Sequence, residues 1–167
     1  ITYISRWSEE NTWGGESLPI EGDSVVVPKG QTLLVDVDTP VLYSVIVEGV
    51  LMFEDKDLNF NAWVVVVKGG QFIAGTEDNP FTSKLTITLY GNRESKMLPV
   101  FGNKGIMVQN GQIDIHGVVK TPTWTKLNAT VNPGDTSFTV IEDIDWNVGD
   151  KIILAPTSRN RDEVEEL

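Results

Sequence analysis

Four stretches of the chain repeat one pattern: a short apolar strand, a glycine corner, and a second short strand. They run over residues 27–35, 47–53, 67–75 and 108–117, with corners at Gly30, Gly49, Gly70 and Gly111. The first three corners are spaced by about twenty residues and the last step is about twice that. A fixed period of this size predicts stacked coils, one per repeat, because a single coil cannot bury its own apolar face. Folds of this kind display ligands along an outer face or scaffold longer assemblies, and they rarely enclose one deep pocket.

The flanking pattern agrees. Strand-like runs are expected at 24–27, 32–35, 44–47, 50–53, 62–67, 71–74, 85–89, 106–108 and 112–115. Each is short, rich in β-branched or aromatic residues, and bounded by turn residues. Val64 to Val67 lacks alternation, as in a strand covered on both faces. Residues 1–21 read as an irregular lead-in, with a turn or short helix at 8–12. Residues 22–157 read as the coil domain. Residues 158–167 form a charged tail with no stop signal, expected to lead into a further β-coil; the chain also lacks an initiating Met and reads as a mature or excised piece. The polar stretch from Tyr90 to Gly105 interrupts the third period and is expected to replace a corner with a loop. Runs 138–141 and 151–154 are expected to pair across a turn and close the end. The fold class is therefore all-β: a right-handed β-solenoid or parallel β-helix-like sandwich of short strands, with a closing antiparallel strand pair.

Composition excludes several functions. Thirteen basic and twenty-four acidic residues leave a net charge of −11, whereas phosphate-backbone recognition needs a basic footprint. The same charge opposes an anionic polysaccharide unless a local basic patch or a bridging cation offsets it. With no cysteines, disulfides and thiolate chemistry are absent. No stretch approaches the roughly 18 apolar residues of a membrane-spanning helix. Asn128-Ala129-Thr130 is an N-glycosylation sequon.

In order and spacing, several pieces together resemble the glycine-eight (G8) domain family. They include Gly22-Asp23-Ser24, Val47-Glu48-Gly49-Val50, Gly69-Gly70, Pro80-Phe81 and Leu85 to Gly91. Further along come Gly102-Asn103-Lys104, Ile115-His116-Gly117, Thr123-Trp124-Thr125 and Val148-Gly149-Asp150. The likeness covers roughly residues 20–157. It implies an extracellular β-rich binding or scaffolding module, as found in fibrocystin-like and cell-surface hyaluronidase-like proteins. Where family members degrade hyaluronan, the activity is expected to need a downstream β-helix domain, so none is assigned to this chain.

Candidate site residues follow from residue type. His116, the sole histidine, shares a strand face with Asp114 and forms a candidate acid–base or sugar-binding pair, set against a plain solvent-facing polar edge. Arg93, Lys96, Asn103 and Lys104, in and beside the interruption, are candidate ligand contacts, with Trp13 the tryptophan expected to be exposed. Trp63 is expected in the core, and Trp124 and Trp146 as lids over coil ends. Carboxylates cluster at Asp36/Asp38, Glu54/Asp55/Asp57, Glu77/Asp78 and Glu142/Asp143/Asp145, with no calcium-loop motif, so turn solubilisation is their expected role and no cofactor is assigned. Three functions remain open: binding a glycan or matrix component, end-to-end self-association into a filament or stalk, and service as an accessory domain of a hyaluronidase-like enzyme.

Overall fold

Residue pairs two apart along each short run are apolar, and a strand turns such pairs to one face. In the computed structural model, which describes residues 3–95, 97 and 102–167, these pairs line up from strand to strand. The chain divides into two units, Ile1–Val118 and Val119–Leu167.

The first unit is built from β1 (Ile4–Arg6), β2 (Ser24–Val27), β3 (Thr32–Val35), β4 (Leu42–Val47), β5 (Val50–Phe53), β6 (Leu58–Lys68), β7 (Gln71–Ala74), β8 (Leu85–Leu89), β9 (Gly105–Gln109) and β10 (Gln112–Ile115). Strands alternate between two parallel sheets, except that β8 and β9 follow one another in the same sheet. One runs β1-β3-β5-β7-β10 and the other β2-β4-β6-β8, with β9 also on β6. The register aligns like with like: Val25 beside Val45 and Val65, Val27 beside Val47 and Val67, Leu33 beside Leu51 and Phe72. All nine are buried, and Phe53, Phe60 and Phe72 pack edge-on or tilted among them. Each such side chain contributes roughly 1.5–3 kcal/mol by leaving water. Val64 to Val67 are all buried, as the unbroken valine run predicts.

The corners explain the glycines. In register, Gln31, Gly49, Gly70 and Gly111 occupy one stacked position. A Cβ on Gly49 would lie 2.3 Å from the Pro28 carbonyl oxygen, and one on Gly111 would lie 2.8 Å from that of Gly70. Glycine is required there by the corner beneath, since Gln112 and Gln71 donate backbone hydrogen bonds to Gly70 and Gly49 in the same turn. Gly30 is not part of this stack. It sits one position earlier, at φ +88°, where Gly69 and Asn110 also adopt left-handed backbone. The first stacked position is a glutamine because β1 arrives from the lead-in and puts no corner beneath it.

Two expectations about the interruption and the end are corrected. The stretch after Tyr90 does not replace a corner. Leu58–Ala62 of β6 pairs with β8 and Val64–Lys68 pairs with β9, so the loop leaves from the middle of one strand position and returns to it. The second unit has an antiparallel pair, but between β11 (Ile153–Leu154) and β12 (Glu165–Glu166). Residues 138–141 form no strand; Val140 makes an isolated antiparallel bridge to Leu127. The lead-in contains β1, too short to show a period, and a 3-10 turn at Glu10–Trp13. Among the described residues there is no α-helix, and no helix is long and apolar enough to cross a membrane.

Candidate functional site

The lead-in folds over one end of the first unit. Trp7 is buried, and Trp13 stands edge-on to it with ring centroids 4.9 Å apart. The Trp13 indole N–H donates to the Trp7 carbonyl at 2.8 Å, and with Leu18 it packs on the core. Trp13 is therefore a lid rather than an exposed ligand platform. Four strand steps separate its neighbour β1 from β10, about 19 Å at the usual spacing. Trp13 packs at the β1 end, whereas Arg93 and Lys104 lie in the loop between β8 and β9, at the far end of the strand order.

Arg93 and Lys104 do belong to one loop. Asn92 organises the turn that carries Arg93, accepting from the Glu94 N–H at 2.9 Å and from the Ser95 hydroxyl at 3.1 Å. Asn103 is partly buried and donates to the Ser95 carbonyl at 3.4 Å, so it closes the loop base as a structural residue. Gly91 admits Lys104 at close range: a Cβ there would fall 2.7 Å from the Lys104 Cβ. Arg93 and Lys104 are exposed and form no ion pair among the described residues. Tyr90, at the root, is exposed and donates to the Asn61 side chain at 3.3 Å. Lys96 lies outside the described residues.

Asp114 lies on the outward face of β10 and His116 follows the strand's end, while Ile113 continues the inward row of Phe72. The Gln112 side chain donates to Asp114 at 2.7 Å and itself accepts from Gln71 at 3.3 Å. This amide chain holds the carboxylate along the sheet, and the His116 backbone ties to Ala74 and Phe81. The arrangement is a polar sheet face held by amide and backbone hydrogen bonds.

In the first two acidic clusters the aspartates accept hydrogen bonds from neighbouring backbone. Asp38 accepts from the Asn59 N–H at 2.8 Å and from its side chain at 2.9 Å; Asp55 accepts from the N–H groups of Thr82 and Ser83 and from the Thr82 hydroxyl; Asp57 accepts from the Lys84 N–H. Asp36 is buried and takes the Ser8 N–H, the Ser8 hydroxyl and Arg6, which also reaches Glu54. Burial alone would push the Asp36 carboxyl up, but the Ser8 and Arg6 hydrogen bonds together hold it below the usual carboxylate range. Hydrogen bonds from Asn59 lower Asp38, and those led by the Thr82 hydroxyl lower Asp55. Asp38 and Asp57 lie nineteen residues apart in successive turns, Asp57 directly before β6. Among the described residues no three metal-ligating side chains converge.

In the second unit, a cavity of about 790 Å³ is lined by Trp124, Trp146, Phe138, Lys126 and Leu154, among others. Trp146 is half-buried and anchored by its N–H to the Pro122 carbonyl, whereas Trp124 is 71% exposed and no lid. Trp63 is half-buried on β6 and lies outside the core cluster. Asn128 is exposed, with its backbone N–H held by Thr139.

These features define a class: an all-β module of two parallel sheets joined through stacked glycine corners, with a loop let out of one strand position. Residues 12–128 match the family model of the G8 domain, and the chain belongs to that family. It is 39% identical to fibrocystin-L of Homo sapiens over 165 residues, 98% of this chain and 4% of that protein. Fibrocystin of Canis lupus familiaris is 32% identical over 92% of this chain, again 4% of that protein. Protein rliB of Dictyostelium discoideum is 30% identical over 97% of this chain and 15% of its own length. The chain thus spans a small fraction of each of these relatives. No solved structure matches it.

Proposed function

We propose that this chain is an extracellular binding and scaffolding module of a larger polypeptide, built as a β-solenoid and recognising a glycan or matrix component through the Tyr90–Lys104 loop. The observation that carries this reading is the loop's placement. It leaves mid-strand, so β6 holds both of its ends while the loop presents Arg93, Lys104 and Tyr90 to solvent. On a chain of net charge −11, two exposed cations that form no ion pair among the described residues are a local exception suited to polar or acidic sugar groups. The exposed Tyr90 ring at the loop's root offers a stacking surface. Rigid sheets carrying a variable loop are a common arrangement for binding. No catalytic role is proposed for Asp114 and His116.

The test is a glycan array probed with the protein and with the Arg93→Ala/Lys104→Ala variant, at moderate salt. Binding that drops at least tenfold in the variant supports the reading. Absence of binding to every glycan, or equal binding by the variant, sinks it.

A further inference from the structure

The two ends of the first unit are finished differently. At the β1 end the inward rows stay dry: Val25, Val27 and Leu33 are buried beneath Trp7, Trp13 and Leu18. Part of the β1 edge is also occupied there, since the outward Arg6 carbonyl accepts from the Thr12 hydroxyl at 2.6 Å and from the Glu9 N–H. At the β10 end the same rows lose their cover. The row Val27, Val47, Val67 is fully buried until Val108, which is 47% exposed. Ile115, in register with buried Ala74, is 54% exposed.

The backbone of that last turn is equally open. Gln112 and His116 donate toward β7, so by strand alternation the N–H and C=O groups of Ile113 and Ile115 point away from it. Gln109 accepts from Gly69, which turns Ile106 and Val108 outward in the same way. Among the described residues, none of these four has a backbone hydrogen bond to a turn or loop. Natural proteins pair or blunt such edges.

We propose that β9 and β10, with the corner Gln109–Gly111 between them, form a docking edge for one more parallel strand pair, joined by a glycine and supplied by another polypeptide segment. The corner sets the chemistry of that partner. Each stacked corner residue has been forced to glycine by the carbonyls of the corner beneath it, as Gly70 is by Gly49 and Val47. A segment stacked on Gly111 meets the equivalent carbonyls and needs glycine at the same place. Its alternate residues must be apolar to continue the rows ending at Ile106, Val108, Ile113 and Ile115. A second copy does not meet the requirement: its first corner carries Gln31 at the stacked position, and the outward Arg6 carbonyl of its β1 is already bonded by Thr12 and Glu9. The relatives have the length to supply such a segment, since this chain is 4% of fibrocystin-L. The inference goes beyond glycan binding and does not depend on the loop.

The probe is a synthetic peptide of residues 64–75 flanked by lysines, the strand–corner–strand that β10 already stacks on, with a Gly70→Ala peptide as its counterpart. Hydrogen exchange of the Ile106, Val108, Ile113 and Ile115 amides is followed in the full 167-residue protein. The expected result is exchange slowed at least tenfold by the glycine peptide, unchanged by the alanine peptide, and unchanged by either in an Ile115→Lys protein, whose charge blunts the edge. No slowing, or equal slowing by both peptides, overturns the proposal. Concentration-dependent slowing with a doubled mass in the protein alone overturns it in favour of a second copy.

Discussion

A Cβ added to Gly70 would lie 2.4 Å from the carbonyl oxygen of Gly49. Both partners are backbone, held by ladders on either side, so neither can swing away. Gly70→Ala is expected to cost about 3 kcal/mol, the upper range for forced overpacking. Gln31→Ala, at the first place in the same stack, loses only a long side-chain bond to Ser5 and is expected to cost about 1 kcal/mol or less. Urea denaturation of both variants checks the contrast. Equal costs would show that the stack does not govern the glycine requirement.

Acid should weaken the first unit through its capping aspartates. Asp36, Asp38 and Asp55 are held below the usual value by the hydrogen bonds they accept. A carboxyl lowered in the folded state contributes fully above its unfolded value, about 3.9, and stops contributing as pH falls through its folded value. The urea midpoint is therefore expected to stay level from neutrality to about pH 5 and to drop below about pH 4. Asp36→Asn should lower the plateau and make the acid drop shallower. Superimposable acid limbs for wild type and variant would contradict this account.

Trp13→Ala should uncover Trp7. The variant loses the indole hydrogen bond and the edge-on contact, and a destabilisation of about 2–3 kcal/mol is expected, below the 3–5 of a fully buried tryptophan. Near-ultraviolet circular dichroism should lose intensity while any glycan binding persists. Selective loss of binding without loss of stability would restore Trp13 as a ligand residue.

Asn128 is exposed beside Thr130 in a stretch free of regular structure. Expression through a secretory pathway should add one glycan, removed by Asn128→Gln with little change in thermal midpoint. Identical masses for the two proteins would show the sequon unused.

Strand positions were readable because the inward rows demand an apolar residue at every second place. Val45, Val47, Val65 and Val67 announce themselves, and their strands fall within a few residues of expectation. The lid was not readable in this way. Trp13 and Trp124 are the same residue type in similar loops, and only the path of the chain places one against Trp7 and exposes the other. The loop between Tyr90 and Lys104 was visible as polar sequence, but its origin was not. A strand twice the usual length gives no sign that two later strands share it. The aspartate caps were hidden for a related reason: an acidic turn residue looks solvated until the neighbouring turn's N–H groups are placed against it.

The sharing of β6 by β8 and β9 makes that strand a splint across a break. Because both ends of the break are clamped end to end along β6, lengthening what lies between them alters no register and shifts no corner. Loop closure adds only about 0.6 kcal/mol per doubling of length. The position between Leu89 and Gly105 is thus where this architecture can carry new sequence most cheaply, and a grafted peptide there would leave the stacked glycines undisturbed.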